Sequence, residues 1–248
     1  MPRRLASVVA LVLAFAGSGT EGQAVEPRWL IEAPTAGVLA HTTQAVDVRV
    51  SGTDVLAEFE IGFWSRTLLG VAFGAQNLFG VGATTWNPDP GVSARVRVLN
   101  ETATRPAFAV GFRSQGAGEY DDALRRYREK SLGVYGVFSR NYANTVGQGG
   151  LHIGMNRSLE DEDGDPALTG FVGADLELGG RLSLLGEYHF ALNDDSGSAF
   201  GRGRGYMNVG VRLNVVRRVW VEFDLKDVLE NNTRNTGVDR EARLIFLR

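Results

Sequence analysis

Residues 166–191 read PALTGFVGADLELGGRLSLLGEYHFA. On either side of the turn Leu178-Gly179-Gly180-Arg181, apolar and polar residues alternate along the chain. Alternation with a period of two is typical of a β-strand, because successive side chains point to opposite faces of a sheet. The stretch therefore predicts a β-hairpin with one apolar face and one polar face.

The same alternation recurs along most of the chain and predicts about twelve strands. From the second strand onward, short turns such as 65–66 and 178–181 alternate with long loops such as 76–91 and 192–203. Short turns at one end and long loops at the other are typical of a transmembrane barrel. We therefore predict an all-β fold, a single up-and-down antiparallel transmembrane β-barrel of about 12 strands after an N-terminal signal peptide.

The two faces of the strands differ in composition. One face is apolar along nearly every strand, while the other mixes glycine with charged residues. Small and charged side chains suit the inside of a narrow barrel, whereas the apolar face suits lipid, where a charge at mid-depth costs about 2–4 kcal/mol. A soluble, exported β-sandwich is the alternative, but it gives no reason for sorted connections.

One segment departs from the strand pattern. In residues 119–130, Tyr120, Leu124 and Tyr127 follow the i, i+4, i+7 spacing of a short amphipathic helix. An extension of the neighbouring strands fits the same residues equally well.

The N-terminus resembles a secretion signal. Arg3 and Arg4 precede the apolar run 5–16, which is too short for a membrane-spanning helix. We expect a signal peptide at 1–24, cleaved after Ala16 or Ala24, and a barrel domain at 25–248. The chain has no cysteine, so no disulfide is expected. The formal charge of −3 argues against a nucleic-acid partner.

Strand parity also predicts which charged residues face the lumen. They are Asp47, Arg49, Glu58, Glu60, Arg95, Arg97, Arg113, Glu187, Arg212, Glu222 and Asp224. Positive and negative charges nearly balance in this set, which favours a salt-bridged and largely closed interior. A narrow pore with charged rows that select solutes is the second interpretation.

An acidic loop is the weak candidate for a metal site. Asp161, Asp163 and Asp165 supply carboxylates that suit Ca²⁺. Pro166 and Val172 stand where an EF-hand loop has glycine and glutamate, so a solvated surface loop is the preferred interpretation. We predict no metal and no cofactor.

A barrel hydrolase is the third functional class that we consider. His152 and His189 are predicted to face inward, with Glu187 beside His189. No G-x-S-x-G elbow is present in the sequence. We therefore predict that the protein is not an enzyme.

Seven stretches carry a family resemblance. They are Pro34-Thr35-Ala36-Gly37, WNPDPGVSARVRVL at 86–99, PAFAVGFRSQG at 106–116, RYREKSLGVYGVFSRNY at 126–142, LSLLGEY at 182–188, GRGRGYMNVGVR at 201–212 and VEFDLKD at 221–227. In these the chain resembles a family of bacterial outer-membrane β-barrels related to the exopolysaccharide-associated (YjbH-like) barrel proteins. The resemblance implies an outer-membrane barrel linked to polysaccharide export or surface assembly.

Together these observations predict a narrow channel, or an assembly or export component, for a polar solute or a polysaccharide. The alternative is a closed-lumen structural or adhesive barrel that binds through its long extracellular loops. The expected location is the outer membrane of a Gram-negative-type bacterium. The expected partners are outer-membrane lipid, the barrel-assembly machinery, and a polysaccharide or small polar solute.

Overall fold

The computed structural model describes residues 26–143, 147–235 and 237–248, so the predicted signal peptide lies outside the described residues. Within the described ranges no helix is long and apolar enough to cross a membrane. The strands, in chain order, are β1 (Gln44–Ser51), β2 (Asp54–Phe63), β3 (Thr67–Gln76), β4 (Thr85–Trp86), β5 (Gly91–Leu99), β6 (Ala107–Arg113), β7 (Ala117–Asp121), β8 (Arg126–Glu129), β9 (Gly133–Ala143), β10 (Gly147–Arg157), β11 (Thr169–Leu178), β12 (Leu182–His189), β13 (Tyr206–Val216), β14 (Val219–Lys226) and β15 (Asp239–Leu247).

Twelve of these strands close into an antiparallel barrel, which confirms the predicted fold. Neighbouring strands pair in sequence order, and β1 also pairs with β15, with Val48 opposite Leu244 and Arg49 opposite Arg243. The short strand β4 pairs only with β3, and β7 and β8 form a separate hairpin. Closure matters because a barrel leaves no strand edge with unpaired backbone groups in lipid.

From β2 onward the connections are sorted by length between the two ends of the barrel, as the sequence predicts, whereas the two-residue turn at 52–53 lies at the same end as the long loops. Short connections such as 64–66 and 217–218 lie at one end, where Gln44 N–H also donates to the Arg248 carbonyl at 2.9 Å. Long connections, including 114–132 and 190–205, lie at the other end. Because short turns of such barrels face the periplasm, we call the first end periplasmic and the second end outer.

The outer surface of the wall is an apolar belt. Phe73, Ile153 and Phe223 each expose more than half of their surface, at 56%, 58% and 57%. In the hairpin of β11 and β12, Leu176 and Leu184 are cross-strand partners and both are exposed. The apolar face therefore points away from the barrel interior, where lipid rather than a protein core covers it.

Residues 117–129 form two paired strands, which we call the outer hairpin, so of the two alternatives for this segment the helix is wrong and the strands are present. Tyr120 and Tyr127 are cross-strand partners, with ring centroids 5.0 Å apart in an edge-to-face arrangement. Their spacing in the sequence fits two turns of a helix. It also fits a pair of residues that face each other on the two strands of a hairpin. The turn between β7 and β8 produces the second arrangement.

Candidate functional site

Residues 27–40, here called the inner segment, lie inside the barrel. Leu30, Ile31 and Ala33 are fully buried. Leu30 N–H donates to the Ala33 carbonyl at 3.0 Å, so the segment turns back on itself and residues 30–33 form its tip. After the turn the chain returns to the periplasmic end, where Leu39 packs with Leu247. The segment therefore enters and leaves the lumen from the periplasmic side.

The wall is apolar on its inner face where the inner segment packs. The ring of Tyr135 lies edge-to-face with Trp29, with ring centroids 6.4 Å apart. Val137, Phe171 and Leu185 belong to the same buried cluster. Because of these inward apolar residues, β9 does not alternate clearly between apolar and polar residues: one of its faces contacts lipid and the other contacts the inner segment.

Glu187 on β12 holds the tip of the inner segment. The backbone N–H groups of Ile31, Glu32 and Ala33 donate to the Glu187 carboxylate at 3.0, 2.9 and 2.8 Å. Asn208 Nδ2 donates to the same carboxylate at 2.7 Å. Hydrogen bonds to an ionised carboxylate are about twice as strong as neutral ones, so Glu187 is a strong attachment of the tip.

Arginines of the wall hold the carbonyl groups of the inner segment. Arg95 Nη1 donates to the carbonyls of Arg28 and Gly37, both at 2.7 Å. Arg212 Nη2 donates to the Leu30 carbonyl at 2.8 Å. Because Arg28 and Gly37 lie on opposite limbs of the turned segment, Arg95 clamps the two limbs together.

Trp29 is enclosed by charged groups. The guanidinium carbons of Arg95 and Arg113 lie 4.4 and 4.3 Å from the centre of its ring. Trp29 Nε1 donates to Glu60 Oε1 at 3.0 Å, and Arg28 forms an ion pair with Glu60. Cation–π contacts strengthen when they are removed from water, as they are here.

The structure places the predicted lumen-facing charges on the inner face of the wall. Nine of them are less than 5% exposed, namely Asp47, Arg49, Glu58, Glu60, Arg95, Arg113, Glu187, Glu222 and Asp224, and the side chains of Arg97 and Arg212 are 13% and 12% exposed. Ion pairs among the wall residues include those of Arg243 with Asp47, Arg243 with Glu222, Arg113 with Glu58 and Arg212 with Glu222.

Glu32, at the tip, faces the outer half of the lumen. Its Oε1 accepts hydrogen bonds from Arg49 Nη1 at 3.0 Å and from Lys226 Nζ at 2.7 Å. Arg113 Nη1 is 3.9 Å from Glu32 Oε2. Above this cluster lies an open cavity of about 510 Å³, here called the outer cavity, which Glu32, Arg49 and Lys226 help to line.

The outer hairpin covers part of the outer end of the lumen. Arg126 is fully buried, and its Nη1 lies 2.5 Å from Asp163 Oδ2 and 2.7 Å from Asp194 Oδ1. Lys130 Nζ donates to Asp163 Oδ1 at 2.8 Å. A smaller cavity of about 60 Å³, lined by Glu32 and Glu129 among others, lies between this region and the tip. The lumen is thus filled from the periplasmic side and partly covered from outside.

The pKa of Glu129, in the outer hairpin, is shifted from its ordinary value. Burial raises the pKa of its carboxyl group to about 7. Lys226 and Arg128 oppose this shift, while Glu32 and Asp227 add to it. The outer hairpin therefore carries a group whose charge changes near neutral pH.

The acidic loop has protein partners for its carboxylates. Asp163 pairs with Arg126 and Lys130, and Asp165 Oδ2 accepts from Asp195 N–H and Ser196 N–H at 3.0 and 3.1 Å. The described residues contain no group of three or more side chains placed to hold a metal ion.

Ser139, His152 and Asp175 form a hydrogen-bonded row across three adjacent strands. His152 Nδ1 lies 2.8 Å from Ser139 Oγ, and His152 Nε2 lies 2.9 Å from Asp175 Oδ1. Ser139 Oγ also accepts from Ala36 N–H at 2.8 Å. The row therefore lies against the inner segment and anchors it. His189 lies apart from it, with Nε2 3.4 Å from Glu187 Oε1.

Sequence reasoning missed the inner segment itself. The sequence feature that marks this segment is the run Trp29-Leu30-Ile31 before the first strand. Its three apolar residues are consecutive and do not alternate with polar ones. In a barrel whose strands mostly turn their apolar face to lipid, a run outside the strands needs a second buried environment. It also missed Lys226 as a partner of the tip, because no strand pattern shows where Glu32 lies.

A scan with models of known protein families gives no match, and a search of curated proteins finds no similar sequence. Solved structures do show similarity. The COG4313 outer membrane channel from Pseudomonas putida F1 matches 90% of this chain and 100% of its own, at 9% identity and a TM-score of 0.46. The NanC porin matches 83% and 98%, at 9% identity and a TM-score of 0.45. A Rhodopseudomonas blastica porin variant matches 79% of this chain at 11% identity and a TM-score of 0.34, and there the chain spans only 56% of the relative.

The surface of the barrel indicates where in the cell the protein lies. A closed wall satisfies the backbone in lipid, and the apolar belt faces outward around it. Strands cross a membrane in this way in barrels of the outer-membrane type, with short turns at one end and long loops at the other. The chain is an outer-membrane β-barrel protein.

Proposed function

We propose that the protein is a narrow outer-membrane channel for small polar solutes, and that the inner segment closes it at rest. The observation that carries this proposal is the way in which the lumen is filled. The inner segment contributes no strand to the wall, and side-chain contacts hold it there. It is therefore able to leave without opening the barrel.

The size of the barrel supports this proposal. About eight strands enclose an interior that side chains fill, and more strands leave space inside. This barrel has twelve strands and accommodates a chain that turns back on itself. Once the inner segment leaves, charged residues of both signs line the passage. Such a passage suits polar solutes rather than apolar ones.

A disulfide that locks the inner segment tests the proposal. Ala36 N–H donates to Ser139 Oγ, and the chain has no native cysteine, so Ala36→Cys with Ser139→Cys introduces one defined pair. In planar bilayers we expect openings from the reduced protein and none from the oxidised protein. The single variant Ala36→Cys is the control, and its openings should not depend on oxidation.

Deleting residues 27–40 gives a second test. The deletion variant should conduct continuously, provided that it still shifts on a gel when heated, as a folded barrel does. A folded deletion variant that does not conduct would overturn the channel proposal.

A closed-lumen barrel that binds through its outer loops is the second candidate. It is favoured by the buried Arg126, which ties the outer hairpin to two other long loops through Asp163 and Asp194. This candidate predicts no conductance from any of the variants above, together with retained folding.

We propose no catalytic activity for the row of Ser139, His152 and Asp175. What supports this is that Ser139 is buried and its Oγ already accepts the Ala36 N–H. A fluorophosphonate probe should therefore leave Ser139 unlabelled in the native protein, where the inner segment covers it. Labelling of Ser139 would favour a hydrolase.

We further propose that the chain is related to the exopolysaccharide-associated (YjbH-like) barrels and acts in polysaccharide export or surface assembly. The seven stretches quoted from the sequence support this relation. A strain that lacks the protein should then secrete less polysaccharide, and the protein carrying Ala36→Cys and Ser139→Cys should restore secretion only when reduced. Unchanged secretion would remove this role without affecting the channel.

The route to the membrane completes the proposal. We propose that residues 1–24 are removed on export, with cleavage after Ala16 or Ala24, and that the barrel-assembly machinery inserts the barrel among outer-membrane lipids. N-terminal sequencing of the protein isolated from outer membranes tests the cleavage. Depletion of the assembly machinery should lower the amount of folded protein.

A further inference from the structure

We propose that the outer cavity binds a small polar solute carrying a carboxylate, and that this carboxylate takes the place of Glu32 on Arg49 and Lys226. The inference rests on the proposed function, since it names the class of solute that the channel admits. It also links binding of the solute to opening.

The first argument is that Glu32 already occupies a carboxylate site. Its carboxylate lies at 3.0 Å from Arg49 Nη1 and 2.7 Å from Lys226 Nζ, with Arg113 Nη1 at 3.9 Å. Glu32 belongs to the inner segment, whereas the three basic residues belong to the wall. When the inner segment moves, these basic residues therefore lose one of their anions, while Glu58 still pairs with Arg113 and Glu241 with Lys226.

The second argument is that Arg49 has unused donors. Only 3% of Arg49 is exposed, and it lines the outer cavity, yet its Nε and Nη2 have no hydrogen-bond partner. The carboxylates of Asp47 and Glu58 are 3.9 and 3.7 Å from these two atoms, which is beyond hydrogen-bond distance. A guanidinium group presents its donors as a fork that fits a carboxylate, so a solute carboxylate satisfies more of Arg49 than Glu32 does.

The third argument concerns the rest of the solute. The outer cavity of about 510 Å³ lies within the range of small-ligand sites, and Gln76, Asn87 and Gln115 line it. Glu241 also lines it, and Glu241 Oε1 is buried without a hydrogen-bond partner. Amide groups and an unpaired acceptor suit hydroxyl groups, so the expected class is a hydroxylated carboxylic acid such as a sugar acid.

Competition with Glu32 connects the site to the inner segment. The N–H of Glu32 donates to Glu187, and its side chain bonds Arg49 and Lys226. A solute that occupies Arg49 and Lys226 removes the side-chain attachment of the tip and leaves only its backbone attachment. Binding from outside therefore weakens the closed state.

Calorimetry on the detergent-purified full chain tests the site, with glucuronate, glucose and glucosamine as probes. We expect glucuronate to bind roughly tenfold more tightly than glucose, because a charge-assisted hydrogen bond is gained. Glucosamine, which carries a positive charge, should bind no more tightly than glucose. Equal affinity for glucuronate and glucose would overturn the proposal.

The variant Glu32→Gln tests the competition between Glu32 and the solute directly. Because it weakens the internal competitor, it should tighten glucuronate binding roughly tenfold. Asp54→Asn is the matched control, since Asp54 also lines the outer cavity but accepts from Asn77 N–H instead. An equal effect of both variants would show a general charge effect and overturn competition, and so would no effect of Glu32→Gln.

Lys226→Gln should abolish the preference for glucuronate over glucose while the heat-dependent gel shift shows that the barrel is folded. A folded variant that keeps the preference would overturn the role of Lys226. Failure of this site and failure of the channel are distinguishable, because calorimetry needs no conductance. Selective binding without conductance removes the channel, whereas conductance without selective binding removes the site.

Discussion

At the scale of single residues, Glu187 attaches the tip of the inner segment through its carboxylate. Replacing it in Glu187→Gln keeps its shape but removes the charge that three backbone N–H groups share. We expect a loss of about 2 kcal/mol in attachment, and hence roughly 30-fold more frequent release of the segment. The rate at which a maleimide labels Ala36→Cys, a position that is fully buried, measures this release.

Glu177→Gln is the control for Glu187→Gln. Its carboxylate accepts from Gln148 Nε2 at 2.9 Å, on the neighbouring strand. It should leave the labelling rate of Ala36→Cys unchanged. Equal rates for the two variants would contradict the role given to Glu187.

Glu129 makes the docking of the outer hairpin depend on pH. Burial raises its pKa from 4.5 to about 7, so the docked hairpin binds a proton more tightly than the released hairpin. Docking is then favoured fully below the ordinary pKa and loses stability as the pH rises through about 7, by an amount on the order of 3 kcal/mol. We expect the hairpin to be cleaved faster by protease at pH 8 than at pH 6.

Glu129→Gln should remove this pH dependence, because the amide stays neutral throughout the range. The variant hairpin should resist protease equally at both pH values. A pH dependence that survives in Glu129→Gln would assign it to another group.

At the scale of elements, the outer hairpin depends on Arg126. Arg126→Ala removes the buried cation that Asp163 and Asp194 share and leaves Asp163 with Lys130 alone, which costs about 3 kcal/mol, the low end for a broken buried pair. We expect the outer hairpin to detach and to be cleaved by protease within 117–129. The barrel should still shift on a heated gel, because the hairpin contributes no strand to the wall.

The neighbouring residue supplies the matched control. Arg125 pairs with Glu162 at 2.8 Å, but both side chains are half exposed or more, so the pair is worth about 0–1 kcal/mol. Arg125→Ala should leave the hairpin as resistant as in the native protein. If Arg125→Ala and Arg126→Ala behave alike, the buried ion pairs do not hold the hairpin.

The wall strands were predictable from sequence because lipid and lumen impose opposite requirements on alternate residues. Leu176 and Asp175, for example, differ in polarity because one faces outward and the other inward. The outer hairpin was not predictable in this way. Tyr120 and Tyr127 contact each other across a turn, and a contact between two apolar residues at that spacing also occurs on a helix.

At the scale of the whole molecule, strand parity could not predict what fills the lumen. Parity assigns Arg243 to the inner face, but its contact with the Leu30 carbonyl spans 213 positions in sequence. The charge balance of the lumen indicated a closed interior without showing what closes it. The cluster around Glu32 likewise joins a strandless segment to Arg49 and Lys226, which lie on separate strands.

The position of the whole barrel in lipid gives a further prediction. Ile153 lies near the middle of β10 and is 58% exposed on the apolar belt. Ile153→Arg should destabilise the folded barrel by about 2–4 kcal/mol, because it places a charge at mid-depth. Urea unfolding in lipid vesicles measures this change.

Thr104→Arg is the control for Ile153→Arg, because Thr104 lies exposed in the connection between β5 and β6. The added charge there meets water, and the unfolding midpoint should not move. A similar loss in both variants would mean that the apolar belt does not contact lipid.

Arg243 has a consequence for how the barrel is made. It bonds Asp47 across the seam between the first and last wall strands, with Nε to Oδ1 at 2.7 Å, and its Nη1 lies 3.3 Å from the Ile31 carbonyl. The residue that seals the seam thus also contacts the earliest described part of the chain. Pairing of the first and last wall strands is then most favourable when the inner segment already lies in the lumen. We therefore expect a wall that closes around the inner segment to be more stable than one that closes empty, which would keep the cell envelope sealed while the barrel is made.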